Sequence, residues 1–121
     1  MKKRQKILCV DDEPINLFIL QRNFNKNYDV LTAEDGLKAL SVLENYDDIE
    51  LIISDWRMPE MSGLEFIKEA NKRFSNKRYF MLSGFAATEE IQQALEAKLI
   101  CEYFEKPADF GLIGEALQKP C

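Results

Sequence analysis

The chain has 121 residues, 46% of them apolar, and carries 21 acidic against 16 basic side chains for a net charge of −5. That length suits one domain with one core, and the apolar content excludes a disordered chain. The acidic balance argues against nucleic-acid binding, and no uncharged run is long enough to span a bilayer.

The basic cluster Lys2, Lys3, Arg4 and Lys6 is short and reads as a solvated flank rather than a nucleic-acid arm. No long apolar stretch follows it, so no signal peptide is expected. The chain has no histidine, which removes imidazole acid–base chemistry, histidine triads and histidine metal sites. Cys9, Cys101 and Cys121 lack metal-ligand spacing. They read as an odd set of free thiols, which places the protein in a reducing, cytoplasmic setting.

Lys6-Ile7-Leu8-Cys9-Val10 is a short apolar run of the kind a buried parallel strand shows. Pro14, after Asp11-Asp12-Glu13, suits the first turn of a helix that carries Ile15, Phe18, Ile19, Leu20 and Phe24. Tyr28 to Ala33 is a second predicted strand, and Asp35-Gly36 opens a second helix through Leu37, Leu40 and Leu43. Ile49 to Ser54 gives the strongest strand signal, with Leu51, Ile52 and Ile53 consecutive. After the loop Asp55 to Ser62, Leu64, Ile67, Ala70 and Phe74 recur near the helical period. Tyr79 to Leu82 reads as a fourth strand, and Thr88 is placed to cap a fourth helix with Ile91, Ala94 and Leu95 inward. Cys101 to Glu105 is a fifth strand, and Leu112, Ile113, Ala116 and Leu117 mark a fifth helix.

This alternation predicts one doubly wound α/β domain over residues 1–121, a (βα)5 sandwich with a parallel sheet and right-handed crossovers. Such sheets bind ligands beyond the carboxyl ends of their strands. Polar residues of a site should then follow strands one, three, four and five. Strand one ends in Asp11-Asp12-Glu13, strand three in Asp55, strand four in Ser83 and strand five in Lys106-Pro107. A single acid there is explained by capping of the next helix; four strand ends with complementary chemistry are not.

Two carboxylates about 4 Å apart repel by roughly 4 kcal/mol at an effective dielectric of 20. A cation relieves that repulsion, and oxygen ligands without His or Cys select Mg²⁺, with Mn²⁺ as the alternative. A lysine supplies a point charge for a phosphoryl group, and a serine hydroxyl can donate to one of its oxygens. A carboxylate beside a metal and a lysine is therefore arranged for phosphoryl transfer onto Asp.

The segments Ile7 to Glu13, Ser54-Asp55-Trp56-Arg57-Met58-Pro59-Glu60-Met61-Ser62-Gly63, Met81-Leu82-Ser83-Gly84 and Tyr103-Phe104-Glu105-Lys106-Pro107 match together in order and spacing. With them the sequence resembles the receiver domains of two-component response regulators, the chemotaxis regulators among them, over essentially its whole length. The resemblance implies the flavodoxin-like strand order 2-1-3-4-5. It implies that Asp55 accepts a phosphoryl group from a sensor histidine kinase or phosphotransfer protein. Asp12 would ligate Mg²⁺ directly, Asp11 largely through water, with Asp55 and the Arg57 backbone carbonyl completing the protein ligands. Ser83 and Lys106 would hold the phosphoryl group, Gly84 would leave that loop room to close, and Lys106-Pro107 would be a cis peptide. Ser83 and Tyr103 would form the switch, and Arg57 and Phe85 would tune phosphoryl lifetime. Met58-Pro59 and Gly63 would shape the loop and start the third helix.

The resemblance further implies an output domain or protein, met by the face of helix four, strand five and helix five around Ile91, Leu95, Leu99 and Tyr103. It allows a phosphorylation-dependent homodimer, and implies no turnover beyond self-phosphorylation and autodephosphorylation. Three positions depart from the family pattern. Ala108 replaces a frequent aromatic, Ala97-Lys98-Leu99-Ile100 lacks the usual glycine, and Ser83 replaces the commoner threonine. The alternatives are an Asp-nucleophile phosphatase and a degenerate receiver acting as a constitutive binding module. The first places its nucleophile after strand one and needs a cap; the second usually loses an acid or the lysine.

Overall fold

Strands and helices follow one another in the predicted order through residues 4–121, the part of the chain that the computed structural model describes. They are β1 (Lys6–Val10), α1 (Pro14–Phe24), β2 (Asp29–Ala33), α2 (Gly36–Asn45) and β3 (Ile49–Ser54), then α3 (Gly63–Arg73), β4 (Arg78–Ser83), α4 (Glu89–Glu96), β5 (Glu102–Glu105) and α5 (Phe110–Leu117). The strands pair in parallel in the order β2-β1-β3-β4-β5, as expected. The order reverses between β1 and β3, which makes that pair the switch point of the sheet.

Successive strand residues face opposite sides of the sheet. Leu8, Val10, Ile52 and Met81 join one buried cluster with Leu40, Leu43, Leu64, Ile67 and Ile91 from α2, α3 and α4. Ile7, Cys9, Leu51, Ile53, Phe80 and Leu82 join another with Leu17, Leu20 and Phe24 from α1 and Ile113 and Leu117 from α5. Each such Leu, Ile or Phe contributes about 1.5–3 kcal/mol on burial, so this packing on both faces is the main support of the fold.

The helix faces differ in part from the sequence pattern. In α1 the inward stripe is Leu17, Leu20 and Phe24, whereas Ile15, Phe18 and Ile19 are exposed at 66%, 58% and 43%. Leu37 and Leu112 also face solvent. Thr88 stands at the start of α4 without a side-chain cap bond, unlike Asp35 and Ser62, whose oxygens accept the Lys38 and Glu65 amides. Two acids, Glu89 and Glu90, occupy the first turn of α4 and complement its dipole instead.

The missing glycine before β5 has a structural consequence. Lys98 takes its place in the left-handed region, at φ 59°. Its amide donates to the Leu95 carbonyl and the Leu99 amide to the Ala94 carbonyl, the paired bonds of a Schellman ending. A side chain in this conformation costs about 1 kcal/mol that glycine avoids. Lys98→Gly is therefore expected to raise unfolding free energy by about 1 kcal/mol, read as a higher urea midpoint at unchanged slope. A lower midpoint would contradict this account.

One sequence expectation is refined and one needs correction. Arg4 is exposed and Lys6 partly so, as a solvated flank should be, but both side chains are paired. The Arg4 guanidinium donates to the Asn25 and Tyr28 carbonyls, and Lys6 pairs with Asp48; Lys2 and Lys3 lie outside the described residues. The three thiols are not all free. Cys101, just before β5, is disulfide-bonded to Cys121, and Cys9 alone is free and buried. Spacing cannot reveal such a pair, because the return of α5 along β5 brings together residues 20 apart. With two of the three thiols paired, the cysteines no longer point to a reducing compartment. Among the described residues, no helix is long and apolar enough to cross a membrane.

Candidate functional site

Strand register gathers the predicted site. Val10 of β1 pairs with Ser54 of β3, and the Asp55 amide donates to the Val10 carbonyl at 2.8 Å. Asp11 and Asp55 therefore leave adjacent strands side by side at the switch point. Ser83 of β4 pairs with Glu105 of β5, and the Lys106 amide donates to the Ser83 carbonyl at 2.8 Å. Strand alternation carried one step further sorts the side chains. Asp11, Asp55 and Lys106 continue the parity of Cys9, Ile53 and Phe104 toward α1 and α5, while Ser83 continues that of Met81 toward α4.

Asp11 is buried, with 1% of its surface exposed. Its Oδ1 accepts the Glu13 amide at 3.0 Å and its Oδ2 accepts Lys106 Nζ at 3.1 Å. The same ammonium lies 3.6 Å from Asp55 Oδ2, and Asp55 Oδ1 accepts the Trp56 amide at 2.8 Å. Asp11, Asp12 and Asp55 each offer a carboxylate oxygen, and these oxygens lie within 4.8 Å of one another.

Burial raises the Asp55 pKa above its ordinary value, and the Asp11 charge adds to this, against opposition from Lys106 and the Trp56 amide. Burial opposes the charge on Lys106, but its hydrogen bond to Asp11 and the charges of Asp11 and Asp55 outweigh it, so its pKa stands above the usual value. The site thus concentrates negative charge that one lysine only partly balances. An all-oxygen donor set with excess negative charge fits a hard divalent cation.

Around the acids, Trp56 is buried and meets the Phe85 and Tyr103 rings edge-on at 6.4 and 6.5 Å between centroids. The Arg57 guanidinium lies over the Trp56 ring at 4.2 Å and the Phe85 ring at 5.2 Å. Phe85 is half exposed, and the Tyr103 hydroxyl donates to its carbonyl. Ser83 is buried and its hydroxyl accepts the Phe85 amide at 3.4 Å. The Lys106-Pro107 peptide is cis, as expected.

A receiver-domain model, described as the response regulator receiver domain, matches residues 7–118. The chain belongs to the response-regulator receiver family. It is 32% identical over 117 residues to a chemotaxis protein CheY homolog of Campylobacter jejuni, covering 93% of this chain and 89% of that one. It is 30% identical over 116 residues to sporulation initiation phosphotransferase F of Bacillus subtilis, covering 95% and 92%. Among solved structures, Vibrio cholerae chemotaxis protein CheY4 superposes with a TM-score of 0.86 at 28% identity, covering 96% of this chain and 98% of that one. The signal receiver domain of an HD domain-containing protein from Pseudomonas fluorescens superposes at 0.88 with 26% identity, over 96% and 93%.

In this receiver the structure brings Asp11, Asp12, Asp55 and Lys106 together at one edge, with Ser83 and Tyr103 on the α4 side. Gly84 has open space where a Cβ would stand, so no crowding there explains it. Ile91 is fully buried and belongs to the core rather than to a docking face; Leu95, Leu99 and Tyr103 are partly exposed. The sequence reading missed the stacking of Arg57 on Trp56 and Phe85, and the close seat of Gly63 against Asp55. Adjacent Trp and Arg side chains hint at the first.

Proposed function

We propose that this receiver is a phosphorylation-controlled signalling module with Asp55 as phosphoacceptor. The observation that carries the reading is the position of Lys106 Nζ, 3.1 Å from Asp11 Oδ2 and 3.6 Å from Asp55 Oδ2, beside an oxygen-only acidic cluster. A phosphohistidine of a sensor kinase or phosphotransfer protein is the donor. An Asp55 carboxylate oxygen attacks phosphorus, the P–N bond breaks as a P–O bond forms, and the departing imidazole is protonated. The Trp56 amide orients the Asp55 carboxylate. Lys106 neutralises the arriving phosphoryl charge, and the Ser83 hydroxyl, seated on the next strand, donates to a phosphoryl oxygen.

Asp12, Asp55 and the Arg57 carbonyl would hold Mg²⁺, which supplies charge neutralisation at the phosphoryl oxygens. Asp11 acts from behind, because both its oxygens already accept hydrogen bonds. Asp55 phosphate is its own product and is lost by hydrolysis; no other turnover is assigned. The donor approaches the edge beside α1, where Ile15, Phe18 and Ile19 are exposed next to a cleft of about 290 Å³ lined by Asp11, Ile19, Lys106 and Phe110. The output side is the α4–β5–α5 face. There Ser83 and Tyr103 relay the phosphoryl charge to an output domain, a separate partner or a second copy.

The test is incubation with acetyl phosphate and Mg²⁺, followed by intact mass and Trp56 fluorescence. One added phosphoryl group, absent in Asp55→Asn, is the expected result. No mass gain, or a gain that survives Asp55→Asn, would overturn the reading and favour a constitutive binding module. Phe85 and Arg57 form a layer of ring and guanidinium against Trp56, the residue next to Asp55. Phe85→Ala is expected to speed hydrolysis of the acyl phosphate, measured as decay of the phosphorylated mass after donor removal; an unchanged decay rate would remove the shielding role.

A further inference from the structure

We propose that Cys101 and Cys121 form a reversible thiol–disulfide site whose oxidation fastens the C-terminal end of α5 to the start of β5. The two Cα atoms are 5.0 Å apart, inside the range a disulfide spans without backbone movement. The pair is reachable. Cys121 is exposed, Cys101 is partly so, and a cleft of about 100 Å³ lined by Phe80, Glu102, Ala116 and Pro120 opens beside them. Exposed disulfides exchange with solution thiols, whereas buried ones resist. Cys9 is fully buried and burial pushes its thiol pKa far up, so it takes no part in the exchange.

The position of the bond gives it a consequence. The ring it closes contains Tyr103, Lys106, Pro107 and all of α5. A second, non-covalent tie holds the same helix end. Arg78 at the start of β4 donates from Nη1 to the Leu117 carbonyl at 3.0 Å and the Lys119 carbonyl at 2.8 Å. Reduction therefore leaves α5 held by Arg78 and by the burial of Ile113 and Leu117, and oxidation adds a covalent restraint to that end. The exchange is balanced with a low-molecular-weight disulfide such as oxidised glutathione. Two thiols lose two protons and two electrons, the protein S–S bond forms, and the reagent's S–S bond breaks to give two thiols.

The test uses the full chain equilibrated across ratios of reduced to oxidised glutathione. Alkylated mass reports thiol state, and hydrogen exchange reports α5. The expected result is a two-electron transition of a single Cys101–Cys121 pair, with Cys9 unmodified in the folded protein. Oxidation is expected to raise protection of α5 amides by roughly tenfold to a hundredfold and the Tm by roughly 10 °C. Arg78→Ala should enlarge the redox difference in α5 exchange, since both ties hold the same end. A Cys101→Ser, Cys121→Ser double variant, which leaves every fully buried core residue in place, should show none. Thiols that alkylate at every glutathione ratio, or a disulfide that leaves α5 exchange unchanged, would overturn the proposal. Neither readout involves Asp55, so the outcome is independent of the phosphoacceptor reading.

Discussion

Replacing Gly63 by alanine is expected to destabilise the protein by about 3 kcal/mol and to blunt Mg²⁺ binding at the same time. Gly63 opens α3, and its amide donates to the Trp56 carbonyl at 2.6 Å. That bond draws the helix start onto the peptide that follows Asp55. A Cβ at Gly63 would overlap the Asp55 carbonyl oxygen and stand 2.9 Å from its carbonyl carbon and 3.0 Å from Ser54 Oγ. The first two are backbone atoms just past the end of a central strand, and the Asp55 carbonyl already accepts the Ser54 hydroxyl, the third atom, at 2.8 Å. Neither side can yield without moving the acceptor loop. Urea unfolding measures the stability change, and Trp56 emission during Mg²⁺ titration measures the site. Gly84→Ala is the matched control: nothing stands within 4 Å of its Cβ position, so a change within about 0.5 kcal/mol is expected. Equal effects at the two positions would refute the steric account.

What the sequence revealed, and what it hid, follows from how each feature is encoded. Strand existence was legible because β3 reads Leu51-Ile52-Ile53, a short apolar run of the kind a strand buried on both faces carries. The site was legible because parallel topology delivers every strand's carboxyl end to one edge, so Asp11, Asp55, Ser83 and Lys106 needed no side-chain detail to be grouped. The inner face of α1 was less legible. Six apolar residues in 11 surround that helix, so periodicity alone does not separate Leu17 from Phe18. The close contact of Gly63 with Asp55 and the pairing of Cys101 with Cys121 depend on loop paths. No local pattern carries those paths. Lys98 shows the opposite case, since a missing glycine was visible in the sequence while its left-handed backbone was not.

Substitutions at Asp55 and Lys106 should move metal-free stability in opposite directions, and Mg²⁺ affinity in the reverse sense. Asp55 ionises against burial and against the Asp11 charge, so its folded pKa exceeds its unfolded one. The folded state then binds more protons than the unfolded state, and stability falls as pH rises through that window. Asp55→Asn removes the opposed charge, so the metal-free variant should unfold at higher urea than the native chain. Lys106→Met leaves Asp11 with one oxygen unpaired in a nearly closed setting, its side chain 2% exposed. A loss of about 2 kcal/mol is expected, discounted from the 3–5 kcal/mol of a fully buried pair because a quarter of the lysine side chain is in water. The ammonium occupies the space between Asp11 and Asp55 and so competes for their charge with any other cation. Removing it should tighten Mg²⁺ binding, and removing the Asp55 charge should weaken it. At free Mg²⁺ a hundredfold above the dissociation constant, the native chain should gain about 2.7 kcal/mol. Lys106→Met should therefore regain in Mg²⁺ much of what it lost without it, while Asp55→Asn gains little. Parallel urea curves with and without Mg²⁺ resolve all three cases. A Lys106→Met protein that binds Mg²⁺ more weakly than the native chain would show that the lysine organises the acids rather than competing for them.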